Sequence, residues 1–353
     1  KDDEYEKNIM VVDDSALMRR VMCDIINSDQ SFHVVEVSRD GEEALNKIKT
    51  MSFDVIVLDI NMPRMNGLQL LEQLKKDKID AVVVMASTLT KEGSKETIRA
   101  LELGAVEFVT KPDTIIEAKG EDFASKLLMV LRGVLLGGGY NPVKKPTESI
   151  KHESKIKSLG SSRLVALACS TGGPKALQSV IPYLPKNLNA PVVLVQHMPK
   201  GFTRSMADRL NELSDIFVKE AEDGDVLEVG KVFVAPGGFH MEIETRRDGV
   251  SLIRLNSNPA IGGLRPCANV MYDSLKTTNY DHITCVVLTG MGMDGTEGIV
   301  ALDKVKNIYT IAQDEQSSVV YGMPRAVADA GVTDEIVPLK EIAKSIIKNV
   351  GVR

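Results

Sequence analysis

Short apolar runs alternating with amphipathic stretches constrain this chain more than any other feature. The runs "NIMVVDD", "FHVVEV", "DVIVLDI", "AVVVMAS" and "EFVTKP" are apolar enough to be buried on both faces. Between them lie "SALMRRVMCDIIN" with Ser15 as its cap, "GEEALNKI", "GLQLLEQLKK" and "SKETIRALELG". A last amphipathic helix, "DFASKLLMVLRGVLL", closes the series. A strand buried on both faces needs helices above and below it, and helix-separated strands pair in parallel. The pattern predicts an α/β fold, five β–α units wound into a doubly wound parallel sheet.

The pattern breaks and then resumes. "GGGYNPVKKPTESIKHESKIKS", from Gly137 to Ser158, is rich in Gly, Pro, Lys and Ser and has no apolar period, which reads as a linker. Beyond it, "LVALACS", "PVVLVQHM", "KVFVAPGG", "ITCVVLTGMG" and "NIYTIAQD" are strand-like, each ending in a polar or glycine turn. "MEIE" and "VSLIRL", split by "TRRDG", predict an antiparallel β-hairpin inserted into this second doubly wound α/β domain. The expected domains are 1–136 and 159–353, joined by a linker over 137–158. With 353 residues, two domains are also what the length favours.

Bulk properties exclude some classes. The net charge is −6 and no dense Lys/Arg block is present, so no nucleic-acid partner is expected. No apolar run is long enough to span a bilayer, so no membrane insertion is expected, and "KDDEYEKN" does not read as a signal peptide. Cys23, Cys169, Cys267 and Cys285 are scattered without a CxxC pair, which reads as reduced thiols in a cytoplasmic protein without a structural zinc.

The first series places charge at its strand ends. Asp13 and Asp14 end the first strand and Asp59 the third. In a parallel sheet of order 2-1-3-4-5 these ends are neighbours. Three carboxylates in one crevice repel one another unless a divalent cation joins them, and hard oxygen ligands suit Mg²⁺. Ser87 ends the fourth strand and Lys111 the fifth. A hydroxyl and an ammonium beside such a centre are what an incoming phosphoryl group needs for charge neutralisation. "VVDDS", "VLDINMPRMNGL", "MASTLT" and "FVTKP", in this order, resemble the landmarks of response-regulator receiver domains, which have a flavodoxin-like sheet. The resemblance implies Asp59 as the phosphoacceptor. It implies Asp14 as the main metal carboxylate, aided by Asp13 and the backbone carbonyl of Asn61. Ser87 and Lys111 become phosphoryl contacts and Phe108 an aromatic switch, and the Lys111–Pro112 bond is a candidate cis peptide.

The second series carries a different chemistry. In "ALACSTGGPKAL" an apolar run stops at Ser170 and turns through Gly172 and Gly173 into a helix. Such a corner of a parallel sheet faces a ligand crevice. A nucleophilic serine needs a base, and the base an orienting carboxylate. His197 directly ends "PVVLVQ" and is the favoured base; His240, after "VFVAPGGF", is the reserve, lining the cleft or only packing. Asp294 follows "CVVLTGMGM" in a glycine-rich loop and is the candidate carboxylate. Cys169 is a rival nucleophile, but consecutive strand residues point opposite ways, and a buried strand-end cysteine is most often core filler. The spacing of "STGGPK" fits neither phosphate-cradling glycine pattern, Walker A or GxGxxG.

"STGGP", "QHMPKGFT", "APGGFHM" and "LTGMGMDG", in order, resemble the catalytic domain of chemotaxis protein-glutamate methylesterases of the CheB type. With the receiver and linker, the resemblance spans nearly the whole chain. It implies phosphorylation-activated hydrolysis of glutamate methyl esters on cytoplasmic helices of chemoreceptors, commonly with deamidation of glutamines there. The implied phosphodonor is a chemotaxis histidine kinase. The receiver would use Mg²⁺ and the esterase domain no cofactor. Backbone N–H groups near Thr171, Gly172 or Met291 are oxyanion-hole candidates. Two other readings stay open at this level: a response regulator whose second domain only binds a partner, and a general serine esterase.

Overall fold

The computed structural model describes residues 6–112, 114, 117, 120–136 and 162–353. The chain divides into two compact units between Gly137 and Gly138. The expected linker lies outside the described residues. No helix among the described residues is long and apolar enough to cross a membrane.

The first unit holds strands β1 (Lys7–Val12), β2 (Phe32–Ser38), β3 (Val55–Asp59), β4 (Val83–Ser87) and β5 (Glu107–Thr110). They pair in parallel in the order β2-β1-β3-β4-β5, as expected from the sequence. Helices α1 (Ala16–Ile26), α2 (Gly41–Ile48), α3 (Gly67–Lys76), α4 (Lys91–Leu103) and α5 (Glu121–Leu136) alternate with the strands. The first four start at a polar cap. Ser15 accepts from the Met18 N–H, Asp40 from Glu43 and Thr90 from Gly93, and Asn66 forms a reciprocal capping box with Gln69. Each cap satisfies an N–H that the first helical turn leaves orphaned and contributes about 1 kcal/mol. Ile9, Val11, Val57 and Val84 pack against Met22 and Ile26 of α1 and Phe123, Leu127 and Leu131 of α5. The Lys111–Pro112 bond is not cis; among the described residues the cis peptide is Arg265–Pro266. The trans form is the default for an X–Pro bond.

In the second unit the chain enters at the middle of a sheet. Strand β6 (Arg163–Cys169) leads to α6 (Gly173–Gln178), β7 (Val192–Gln196), α7 (Phe202–Leu213), β8 (Phe217–Glu220) and β9 (Lys231–Val234). After the hairpin β10 (His240–Thr245) and β11 (Ser251–Asn256) come α8 (Ala268–Ser274), β12 (His282–Val287) and α9 (Thr296–Asp303). Then follow β13 (Ile308–Gln313), α10 (Met323–Asp329), β14 (Glu335–Val337) and α11 (Leu339–Val350). Seven parallel strands lie in the order β14-β13-β12-β6-β7-β9-β8, and the hairpin pairs separately as expected. The sheet grows from β6 to one side and then, from β12 onward, to the other. Ligand crevices open at the carboxyl ends of strands where the winding reverses in this way.

Two strands escape sequence reading, β8 (FVKE) and β14 (EIV). They are four and three residues long and lie at the two sheet edges. An edge strand has one ladder only and carries polar residues, so its apolar signal is weak.

Candidate active site and carboxylate cluster

In the first unit, parallel strands bring residues far apart in sequence to one edge. Asp13 follows β1, Asp59 ends β3 and Lys111 follows β5. Asp13, Asp14 and Asp59 each offer a carboxylate oxygen within 4.8 Å of the others. Lys111 Nζ lies 2.9 Å from Asp13 Oδ2 and 3.0 Å from Asp59 Oδ2. Burial pushes the Asp59 carboxyl up to about 6, against the pull of Lys111 and with the help of Asp13. Burial also acts to lower Lys111, but the two carboxylates outweigh it and hold its pKa above the usual lysine value. One ammonium against three carboxylates leaves an excess of negative charge, and an all-oxygen donor set of this kind fits Mg²⁺.

The other residues expected here fall as follows. The Asn61 side chain turns to Glu96 (3.4 Å), leaving its carbonyl as the candidate ligand. Ser87 is buried, and its hydroxyl is engaged with α4: it donates to Gly93 O (3.2 Å) and accepts from Thr97 Oγ1 (2.5 Å). Phe108 is buried on β5.

In the second unit, Ser170 and His197 leave adjacent strands at one level. The β6–β7 register pairs Cys169 with Gln196, and His197 N–H donates to Cys169 O (3.3 Å). On the other flank Ser170 N–H donates to Thr289 O (3.0 Å), just past β12. The loop after β12 then delivers Asp294, whose Oδ2 lies 2.7 Å from His197 Nε2. Both side chains are under a tenth exposed. Asp294 also accepts from the Ala268 N–H (2.6 Å), the Asn269 N–H (2.9 Å) and the Cys267 thiol (3.1 Å). Burial acts to raise the Asp294 pKa, but the His197 hydrogen bond and charge, with the two backbone N–H groups, hold it down at about 2. A carboxylate partner demands the proton on Nε2, so Nδ1 carries the free lone pair of the imidazole. No hydrogen bond joins Ser170 Oγ to His197 among the described residues. Such contacts are often long in a free enzyme and tighten with substrate.

The turn at Ser170 admits little variation. Gly172 has φ +77°, and a Cβ there would lie 2.6 Å from Val319 Cβ. Gly290 backs directly onto Ser170, where a Cβ would stand 2.8 Å from the Ser170 Cβ. The N–H groups of Thr171, Gly172 and Met291 donate to no acceptor among the described residues. Thr171 and Gly172 are buried residues of the turn, and Met291 is partly buried in the loop after β12.

Cys169 is fully buried with Sγ 3.9 Å from Val195 O, a packing position. His240 is 1 % exposed and bonded through Nε2 to Pro259 O (3.1 Å), with no hydrogen bond to Ser170, His197 or Asp294. Sequence reasoning missed Cys267, whose thiol is pushed up to about 12 by burial and Asp294 and therefore stays a donor. No local signal marks it. It also missed Thr289, whose hydroxyl donates to Thr171 O (2.9 Å), and Gln196. A polar residue closing the run "PVVLVQ" was the signal for Gln196.

Comparison with known proteins covers both units. The family model for the response regulator receiver domain matches residues 9–118, and that for the CheB methylesterase matches residues 165–346. A Pyrococcus abyssi protein named protein-glutamate methylesterase/protein-glutamine glutaminase is 42% identical over 97% of this chain and 93% of its own. A protein of the same name from Clostridium acetobutylicum is 41% identical over 96% of both chains. The crystal structure of the Thermotoga maritima CheB methylesterase catalytic domain is 39% identical with a TM-score of 0.51, covering 53% of this chain and 98% of that one. Both the ordered motifs and the overall likeness lead to one assignment: this chain belongs to the CheB methylesterase family and carries a response-regulator receiver domain.

Proposed function

We propose that this chain hydrolyses glutamate methyl esters on chemoreceptor helices in the cytoplasm, deamidates glutamines there, and is activated by phosphorylation from a chemotaxis histidine kinase. The receiver occupies 1–136, the linker 137–158 and the esterase domain 159–353. The observation that carries this reading is the buried His197–Asp294 pair at 2.7 Å beside the strand-end Ser170.

Ser170 Oγ attacks the ester carbonyl carbon and His197 Nδ1 takes the hydroxyl proton. Asp294 stabilises the imidazolium that forms. Thr171, Gly172 and Met291 offer N–H groups where the oxyanion develops. The imidazolium returns its proton to the departing methoxy oxygen and methanol leaves. Water, deprotonated by the same base, cleaves the acyl-enzyme and releases the glutamate carboxylate. With a glutamine substrate, ammonia leaves in place of methanol.

In the receiver, Asp59 is the nucleophile toward the kinase phosphohistidine, and Lys111 neutralises an incoming phosphoryl oxygen. Asp13, Asp14, Asp59 and the Asn61 carbonyl would hold Mg²⁺, which supplies further neutralisation of phosphoryl charge when bound. The acyl phosphate formed at Asp59 carries about two negative charges where the carboxylate carried one. The Ser87 hydroxyl donates to Gly93 O, so donating to a phosphoryl oxygen instead takes its one proton away from the first turn of α4. Methanol release from methylated receptor fragments, with and without a small phosphodonor, tests the proposal. Release that rises with phosphodonor in the parent, and not in Asp59→Asn, is expected. No release from methylated fragments under either condition refutes it.

A further inference from the structure

We propose that Gln196 is a positioning residue for this hydrolysis, its side-chain amide fastening the backbone of the nucleophile to the backbone of the base. The inference rests on the Ser170–His197–Asp294 reading. The β6–β7 ladder ends at the Cys169–Gln196 pair. Beyond it the two strands part. Ser170 turns into α6, and His197 opens a loop that runs to α7. Among the described residues, the only backbone hydrogen bond between these two segments is the one from His197 N–H to Cys169 O.

Gln196 continues the link. It is 1 % exposed, and its Nε2 donates to Ser170 O (3.0 Å) and to His197 O (3.2 Å). Two carbonyl oxygens on one side determine which end of the amide faces them, since only the NH₂ can donate twice. The opposite end has no partner: Gln196 Oε1 is buried without a donor. It lies against Gly173, where a Cβ would come within 1.9 Å. An unpaired buried carbonyl is destabilising. The four preceding strand residues, Val192 to Val195, are apolar, and an apolar side chain at 196 would avoid that cost. The polar choice is explained by the two carbonyls that the amide ties together. Their owners carry the reacting oxygen and the nitrogen that takes its proton, and a misplacement of about 1 Å between such groups can cost about a hundredfold in rate.

The test uses the full chain. Gln196→Met is close in length and has no donor. Gln196→Asn keeps an amide but withdraws it by one carbon. Tyr272→Phe is the matched control. Tyr272 Oη bonds to Ala166 O (3.1 Å) and Val286 O (3.3 Å), so it also bridges two strands through two carbonyls, deeper in the sheet. The readouts are kcat and KM for methanol release and the rate at which a fluorophosphonate labels Ser170. The reagent needs the serine–histidine alignment but no protein docking. Gln196→Met is expected to lower kcat and the labelling rate by roughly tenfold to a hundredfold, with KM within about twofold. Gln196→Asn should fall between it and the parent, and Tyr272→Phe should stay within about threefold of the parent. Folded Gln196 variants that label within about threefold of the parent overturn the inference, as does an equal loss in Tyr272→Phe. Collapse of both Gln196 variants by circular dichroism also overturns it, since Gln196 would then serve the fold. A parent chain that neither releases methanol nor labels at Ser170 refutes the triad itself. A reactive parent with equally reactive Gln196 variants refutes this inference alone.

Discussion

Replacing Asp294 by asparagine removes one charge and almost no volume. Its partner His197 lies 2.7 Å away, and both side chains are under a tenth exposed. The charge matters most once His197 has taken the Ser170 proton, so it stabilises the transition state more than the free enzyme. Unit charges about 4 Å apart attract by about 4 kcal/mol at an effective dielectric constant of about 20. At about 1.4 kcal/mol per decade, losing that attraction slows methanol release by about a thousandfold. Packing adds to the loss. Both carboxylate oxygens accept backbone N–H groups, from Ala268 and Asn269, so either orientation of the new amide sets an NH₂ against a donor. The assay is methanol release from methylated receptor fragments between pH 5 and pH 9. The parent's Asp294 pKa, at about 2, keeps the carboxylate ionised throughout, so Asp294 contributes no limb to that profile. The same depression has a stability consequence with a definite sign. It stabilises the fold above the ordinary carboxylate pKa of 3.8, and this is lost as pH falls toward about 2. The parent should exceed Asp294→Asn by about 2 kcal/mol near pH 7 and lose that lead in strong acid. Methanol release by Asp294→Asn within about tenfold of the parent at pH 7.5 would refute the reasoning, because no desolvated charge pair would then be at work.

Ser170→Ala and His197→Ala should each reduce methanol release by several orders of magnitude, while the packing position Cys169→Ala should keep it; release surviving in Ser170→Ala within about tenfold removes Ser170 as nucleophile. Asp59→Asn should accept no label from a radioactive phosphodonor, and chelation of Mg²⁺ should stop labelling of the parent; undiminished acyl-phosphate in Asp59→Asn places the acceptor elsewhere. Gly172→Ala would put a side chain at φ +77° and a Cβ 2.6 Å from Val319, so thermal unfolding of the esterase unit should show a loss of about 1–3 kcal/mol. An unchanged unfolding transition would mean that the turn relaxes freely.

Much of this protein is legible in one dimension, because strand burial, helix period and caps are short-range properties. Alternating runs foretell both α/β units, the hairpin after His240 and the Ser15 cap. They also foretell that Asp13, Asp59, Ser170 and His197 stand at strand ends, since parallel strands separated by helices all present their carboxyl ends to one edge. What the residues alone leave open is which ends are neighbours. In the second unit β12 returns to the flank of β6, more than 100 residues after it in sequence. That placement brings Asp294 to His197 and leaves His240 bonded to Pro259. The sequence favours His197 over His240 because it directly ends its strand, but the contacts that separate the two are made by long-range packing, which no local period encodes. The same holds for Cys267, which reaches Asp294 only because α8 starts beside the loop after β12, and for Ser87, whose hydroxyl is drawn toward Thr97 of α4. Strand ends are set by the residues of each strand; the partners of those ends are set by the sheet order, a property of the whole chain.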